Sequence, residues 1–253
     1  MLRFWTQRAQ AYGTDPRANT NDVHLRALEQ DWLCRWIVRA GAQRVLDFGC
    51  ANGGTTALLA RMFPEIRFLG IDLCQAMIDR ARAQDSGDNL SFEERDILAR
   101  PLSERFDVII SVRVMQNVES ESMQHRIADA LIDALSPGGM VLFIESYAAE
   151  YAQLDEDRAA LGLPALPRHA HQTLLTPAFD HYVARRTAVV ERSSIASTYY
   201  LVTRLIYSAL ASERGEAIDY DHPLHRLAAQ VPQIGEYGPL IALACRRTDK
   251  AHP

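Results

Sequence analysis

The fold of this chain is decided by one stretch, Val45-Leu46-Asp47-Phe48-Gly49-Cys50-Ala51-Asn52-Gly53-Gly54. It predicts a buried strand that ends in an acidic, glycine-rich turn, followed by a helix that begins near Thr55. Such a turn presents free backbone N–H groups and the positive end of a helix dipole at the edge of a parallel sheet. The stretch therefore indicates a site for a nucleoside-like cofactor.

Two further acidic residues follow predicted strands downstream. A second short apolar strand ends in Asp72, where a carboxylate can accept hydrogen bonds from both hydroxyls of a ribose. A third candidate strand leads to Asp96 and Ile97, a polar and an apolar side chain suited to the edge and the face of an adenine. Glycines in a turn are a weak signal alone, and the three acidic strand ends at nearly equal spacing strengthen it.

These residues resemble the motifs of the class I S-adenosylmethionine-dependent methyltransferases. The family's first motif, an acid followed by three spaced glycines, matches Asp47 to Gly53, with Ala51 in place of the middle glycine. One methyl group can be accommodated there if the φ angle of Ala51 stays negative. The turn Leu135-Ser136-Pro137-Gly138-Gly139 is a second landmark, and the resemblance is strongest over residues 40–147.

The resemblance implies S-adenosylmethionine as the cofactor, with Asp72 on the ribose and Asp96 on the adenine amino group. The N-terminal pattern from Phe4 to Gly13 is similar to methyltransferases of polysaccharide and sugar-containing natural-product clusters. On that resemblance Tyr12 contacts the methionine portion and Trp5 helps to form a lid, although aromatic packing explains both equally well. The predicted cofactor-binding residues are Trp5, Tyr12, Asp47, Gly49, Ala51, Asn52, Gly53, Asp72, Leu73, Asp96, Ile97, Val112 and Arg113.

Composition and charge favour one enzyme domain, residues 1–253, that acts on a small molecule. The 253 residues, 48% of them hydrophobic, can bury a large core, and no stretch has the composition of an interdomain linker. A formal net charge of −5 argues against a nucleic-acid partner, which needs a continuous basic face. We also expect no metal site, no membrane partner and a cytoplasmic location with reduced cysteines.

The alternation of elements predicts an α/β fold, with a doubly wound, mostly parallel seven-stranded sheet. Residues 1–40 are expected to form an N-terminal helical lid, with a core-facing stripe on the helix from Asp22 to Ala40, and residues 41–147 the cofactor-binding core. Predicted strands lie at 44–48, 67–71, 90–93, 106–112 and 139–146 and within 181–196 and 237–247; predicted helices lie at 53–63, 74–84 and 121–135.

Insertions after the fifth and sixth strands, residues 150–181 and 197–237, are predicted to form a cap over the substrate. Ligands of open α/β folds bind on this side of the sheet. The helix around Tyr200 is also compatible with core packing or with the interface of a homo-oligomer. Candidate catalytic residues are His169, His171 and Glu145, and candidate substrate-binding residues are Tyr147, Tyr199, Tyr200 and Arg204.

The resemblance implies in-line displacement of a methyl group from the cofactor sulfonium to an oxygen or nitrogen of a small molecule, such as a sugar or natural-product intermediate. Two other classes stay open at this stage. One is an RNA or protein methyltransferase, and the other is a protein that binds S-adenosylmethionine without methylating. The acceptor atom, the need for a general base and the oligomeric state are also open.

Overall fold

The structure, a computed structural model, describes residues 1–84 and 87–248. Its central sheet has the strand order β3-β2-β1-β4-β5-β7-β6. The strands are β1 (Arg44–Phe48), β2 (Arg67–Asp72), β3 (Leu90–Glu94), β4 (Phe106–Val112), β5 (Leu135–Ser146), β6 (Thr187–Ser194) and β7 (Leu240–Arg247). Strands β1 to β5 pair in parallel, whereas β7 runs antiparallel to both β5 and β6. The predicted mostly parallel seven-stranded sheet is confirmed.

Helices cover both faces of this sheet. They are α1 (Leu2–Tyr12), α2 (Val23–Ala40), α3 (Gly54–Met62), α4 (Gln75–Arg82), α5 (Glu121–Asp133), α6 (Ala148–Ala160), α7 (Pro177–Val183), α8 (Ser197–Tyr200), α9 (Tyr207–Glu213) and α10 (Pro223–Gln230). Single 3₁₀ turns lie at Pro16–Ala18 and Met115–Asn117. Within the described ranges, no helix has the length and apolar character that a membrane crossing requires.

The two faces of the sheet carry separate apolar layers because successive side chains of a strand point to opposite sides. On β5, Leu142 and Ile144 belong to the layer that includes α2, whereas Val141 and Phe143 belong to the layer that includes α5 and α7. Full burial of each such side chain stabilises the fold by roughly 1.5–3 kcal/mol. Most of the predicted stripe of α2 is buried in the first layer, as expected for Leu25, Trp32 and Trp36.

Two elements begin at places that differ from the prediction. Strand β5 starts at Leu135, because the turn containing Gly138 (φ +70°) is accommodated by a register shift against β4. The segment before β6 is helical up to Val183, since Pro177 at the first position of α7 has the φ angle that a helix start needs.

The predicted helix around Tyr200 is part of one helical stretch, residues 197–213, whose middle turn Leu201–Ile206 is a π-helix. The hydroxyl of Thr203 donates to the Tyr199 carbonyl at 2.6 Å. Such side-chain to backbone bonds offer the carbonyl an alternative partner within a helix. Single π-turns are frequent at functional sites, so the residues of this turn are candidates for contact with a ligand.

Candidate functional site

The glycine-rich turn after β1 forms the floor of the candidate site. Gly49 has a φ of +74°, and a Cβ atom at this position would lie 2.4 Å from the Val114 side chain. Ala51 also has a positive φ, +49°, which corrects the expectation of a negative angle. The left-handed conformation costs an L-residue roughly 1–2 kcal/mol. Part of the compensation is the hydrogen bond that the Ala51 N–H donates to Asp72 Oδ2 at 2.9 Å.

Asp72, at the end of β2, is held by backbone donors on both sides. Its Oδ2 accepts from Ala51 N–H, and its Oδ1 accepts from Cys74 N–H at 2.8 Å. Burial raises the pKa of Asp72, and these backbone N–H groups oppose that shift. Each carboxylate oxygen keeps a second acceptor position. The carboxylate is therefore fixed and still able to bind a pair of hydroxyl groups.

Asp47 lies in β1 and is the first residue of the motif. Its Oδ2 accepts a hydrogen bond from the Thr56 hydroxyl of α3 at 2.6 Å. Burial raises the pKa of Asp47 to about 6, while the hydrogen bond from Thr56 and the charge of Arg26 oppose the rise. Asp47 thus links β1 to the first turn of α3 and contributes negative charge near the glycine turn.

Four strand ends form a row along one edge of the sheet. Asp96 follows β3, Asp72 ends β2, Gly49 follows β1 and Arg113 follows β4. Arg113 has a φ of +55° and donates to Glu29 of α2 at 2.9 Å. If Asp96 and Asp72 bind adenine and ribose, the reacting end of the cofactor points towards β4 and this ion pair.

A cavity of about 1040 Å³ runs along this row and continues under the cap segments. Ligand sites commonly measure roughly 300–1000 Å³, so this cavity has room for a cofactor and a second small molecule. Predicted site residues on its wall are Trp5, Asp47, Gly49, Ala51, Asp72, Leu73, Asp96, Ile97, Val112, Arg113, His169, His171, Tyr200 and Arg204. The structure therefore brings most of the predicted residues together.

Three residues predicted to bind the cofactor lie outside the cavity wall and support it instead. Asn52 is fully buried, and its amide donates to the carbonyl oxygens of Gly13 and Asp15 at 3.1 and 2.9 Å. Gly53 lets Phe92 approach, because a Cβ would lie 2.6 Å from that ring. Tyr12 packs with α4 and stacks under the Arg8 guanidinium. The contacts found for these three residues are structural, and their contact with the cofactor stays a prediction.

Three more residues, predicted to be catalytic or substrate-binding, are buried away from the cavity. Glu145 accepts hydrogen bonds from the backbone N–H groups of the turn that follows β4, at 3.0–3.2 Å. Tyr147 is 1% exposed and donates to Asp180, and Tyr199 is 0% exposed and donates to Asp22. Their polar atoms are occupied inside the protein, so this geometry gives no support to a catalytic role for Glu145 or to substrate binding by Tyr147 and Tyr199.

The two predicted histidines lie where the first cap segment meets the N-terminal helix. Their rings are 5.4 Å apart, and the Phe4 ring of α1 lies 4.8 Å from His169 and 5.2 Å from His171. Nε2 of His171 is buried and has no hydrogen-bond partner among the described residues. Desolvation lowers the pKa of His171, as do His169 and the N-terminal amino group. His171 is consequently neutral at neutral pH and can accept a proton.

Two charged residues of α2 on the cavity wall, Arg26 and Glu29, are not among the predicted site residues. Arg26 donates to Thr55 at the start of α3 at 3.0 Å, and its Nη2 atom is buried without a partner. Glu29 is 2% exposed, and burial raises its pKa against the opposing charge of Arg113. The feature of the sequence that could have identified them is their spacing: they lie three residues apart on α2, beside its apolar stripe.

Comparisons with known proteins agree with this geometry. Residues 45–139 match the family model described as a methyltransferase domain. Over 139 residues the chain is 32% identical to trans-aconitate 2-methyltransferase from Deinococcus radiodurans, a match that covers 55% of this chain and 45% of that protein. Over 100 residues it is 31% identical to malonyl-(acyl-carrier protein) O-methyltransferase from Bacillus cereus, covering 40% and 36% respectively. The chain thus spans less than half the length of these two relatives.

Among solved structures, the N-methyltransferase NodS from Bradyrhizobium japonicum WM9, in complex with S-adenosyl-L-homocysteine, has a similar fold. The TM-score is 0.60 at 18% identity, covering 97% of this chain and 99% of NodS. The sheet and the glycine turn are those of the class I S-adenosylmethionine-dependent methyltransferase fold. Residues 45–139, which match the methyltransferase-domain model, contain the glycine turn and the acidic strand ends of this fold.

Proposed function

We propose that the protein transfers a methyl group from S-adenosylmethionine to an oxygen or nitrogen of a small molecule, such as a sugar or natural-product intermediate. The observation that carries this proposal is the continuity of the cavity. It extends from the acidic strand ends at Asp72 and Asp96 to His171 and Arg204 of the cap segments. A protein that only bound the cofactor would have no use for the second half of this cavity.

The residues of the first half fit the parts of S-adenosylmethionine. Asp72 would accept hydrogen bonds from the two ribose hydroxyls, and Asp96 would accept one from the adenine amino group, with Leu73 and Ile97 on the faces of the ring. The buried, unpartnered Nη2 of Arg26 beside the first turn of α3 suits the carboxylate of the methionine portion. When bound, the cofactor supplies an electrophilic methyl group on a sulfonium.

The second half would hold the acceptor in line with the breaking bond. Displacement needs a nucleophile about 3–3.5 Å from the methyl carbon, so positioning by the cap segments supplies much of the catalysis. A neutral amine needs little more, whereas a hydroxyl gains from a base. His171 lies on the cavity wall with an unpartnered Nε2, which places a proton acceptor there.

Methyl transfer with labelled cofactor tests this proposal. The purified protein is incubated with methyl-labelled S-adenosylmethionine and a panel of amino sugars, glycosides and phenols, and products are identified by mass spectrometry. Small acids join the panel because the two curated relatives are named for trans-aconitate and for malonyl-(acyl-carrier protein). We expect label on a small molecule, and much less label with the Asp72→Asn variant at the same cofactor concentration. Label found only on added RNA or protein would contradict the small-molecule assignment.

A further inference from the structure

Among the residues of the cap segments, Arg204 has the contacts that best indicate the chemistry of the acceptor. It lies in the π-helical turn Leu201–Ile206, on the wall of the cavity, and is 8% exposed. A guanidinium this far from solvent is costly unless it is paired. Asp22, at the N-terminus of α2, provides the pairing through a hydrogen bond from Arg204 Nη2.

The guanidinium of Arg204 is held in place from several directions. Its Nη1 donates to the Thr203 hydroxyl at 3.0 Å. The aromatic rings of Tyr199, Tyr200 and Tyr220 lie 5.8, 5.6 and 5.3 Å from its central carbon. Cation–π contacts and the Asp22 pair together fix its orientation. A preorganised arginine of this kind loses little side-chain entropy when a ligand binds.

This arrangement leaves hydrogen-bonding capacity for a ligand. A guanidinium has five N–H donors, and two hydrogen bonds from Arg204 are formed within the described residues. The Tyr200 ring lies on the same wall, and no hydrogen bond of its hydroxyl is found among those residues. Arg204 and Tyr200 thus offer N–H and O–H donors, the set that an oxygen-rich anionic group requires.

The charges around Arg204 also favour an anion. Three arginines and three acids on this side of the cavity balance in formal charge: Arg26, Arg113, Arg204, Asp22, Glu29 and Asp47. The exposed Glu119 is screened by solvent. Bound S-adenosylmethionine adds one positive charge, since its amino and carboxylate groups cancel and its sulfonium remains. An anionic group on the acceptor would offset this excess.

We propose that Arg204 and Tyr200 bind a carboxylate of the acceptor, so that the methylated molecule is a small acid anchored by this group. This inference rests on the proposed function and adds the chemical class of the substrate. The planar guanidinium matches a carboxylate with two parallel hydrogen bonds. The anchored carboxylate is the recognition group, and the cap segments then orient the rest of the molecule towards the cofactor methyl.

The test uses malonate as the probe, with its neutral diamide and inorganic phosphate as comparison ligands. Each is titrated by calorimetry into protein saturated with S-adenosylhomocysteine. We expect malonate to bind with a Kd on the order of 1 mM, a value typical of weak fragments, and the diamide at least tenfold more weakly. Arg204→Gln should weaken malonate binding at least tenfold, and Tyr200→Phe several-fold, with unchanged affinity for S-adenosylhomocysteine.

Two further variants keep the result interpretable. Arg168→Gln removes an arginine of the same cap that is absent from the cavity wall, and should leave malonate binding unchanged. The double variant Asp22→Asn with Arg204→Gln removes both buried charges, so it covers the case in which Arg204→Gln alone fails to fold. Equal binding of malonate to the wild type and to the double variant would overturn the proposal.

Other results separate this inference from the proposed function. Tighter binding of phosphate or of the diamide than of malonate, or no carboxylate binding up to about 10 mM, would overturn the inference alone. Failure of the wild type to bind S-adenosylhomocysteine would instead overturn the proposed function. Weaker malonate binding in Arg204→Gln, in Tyr200→Phe and in the double variant, with Arg168→Gln unaffected, supports the carboxylate site.

Discussion

Replacing Asp72 by asparagine removes one negative charge from the end of β2 while keeping the size of the side chain. Asp72 Oδ1 and Oδ2 accept hydrogen bonds from Cys74 and Ala51, which leaves one acceptor position on each oxygen for a ribose hydroxyl. The side-chain oxygen of asparagine can still accept the hydrogen bond from Cys74 N–H. Its NH2 group then faces the Ala51 N–H, and because both groups are donors, that hydrogen bond is lost. The variant therefore loses the charge and one of the two ribose acceptors.

Hydrogen bonds to a charged group contribute about 1.5–3 kcal/mol each, so we expect a loss of about 2–4 kcal/mol in cofactor binding. That corresponds to affinity for S-adenosylhomocysteine about 30- to 700-fold weaker, measured by isothermal calorimetry. The unfolding free energy should fall by about 1–3 kcal/mol, because the Ala51 N–H loses its acceptor. Asp79→Asn, on the exposed side of α4, is the matched control. An affinity of the Asp72 variant within about threefold of wild type would refute the assignment of Asp72 to the ribose.

Three further predictions follow from particular contacts. His171→Ala should lower the rate of methyl transfer at least tenfold, about 1.4 kcal/mol, without changing cofactor affinity. His181→Ala, at an exposed position, should leave the rate unchanged. Equal rates for the two variants would show that His171 does not act at the acceptor site. Asn52→Ala should lower the free energy of unfolding, measured in urea, by about 1–3 kcal/mol, because two carbonyl oxygens of the segment after α1 lose their donor. An unchanged midpoint of the urea transition would contradict this prediction. Burial lowers the pKa of His225 to about 4, so the unfolded state binds its proton more readily. Stability should therefore fall by about 2 kcal/mol between about pH 7.5 and pH 5 in wild type, and by less in His225→Asn.

The sheet and the cofactor half of the site could be predicted because their signals are local. An apolar run followed by a glycine turn specifies a strand, a turn and a helix within one short stretch, as at residues 45–54. Acidic residues at successive strand ends then meet at one edge, because parallel strands share their carboxyl ends. Asp72 and Asp96 lie on the cavity wall, at the edge of the sheet that the strand pattern predicts for them.

The second half of the cavity, under the cap segments, could be predicted only in part because it depends on contacts between segments that are distant in sequence. Glu29 pairs with Arg113, and Arg204 pairs with Asp22, across separations that no local pattern reveals. Glu145 and Tyr147 stand beside the candidate site in sequence, yet their side chains point into the protein. Proximity along the chain to the end of a strand therefore does not decide which side chain reaches a ligand.

The positive φ of Ala51 shows a different limit of sequence reasoning. A residue other than glycine is expected to avoid the left-handed region of backbone conformations, yet Ala51 adopts it. The hydrogen bond from its N–H to Asp72 comes from the neighbouring strand and offsets part of the cost. Local propensity is here overridden by a contact that forms only in the folded chain.

Single-turnover transfer of a labelled methyl group tests the central claim most directly. Protein in excess over methyl-labelled S-adenosylmethionine is mixed with the acceptor panel, with and without small carboxylic acids, and the labelled products are resolved by mass spectrometry. The account predicts stoichiometric label on a small molecule, stronger for acidic acceptors, and much less transfer by Asp72→Asn under the same conditions. Tight binding of the cofactor without label on any small molecule, or label confined to RNA or protein, would contradict it.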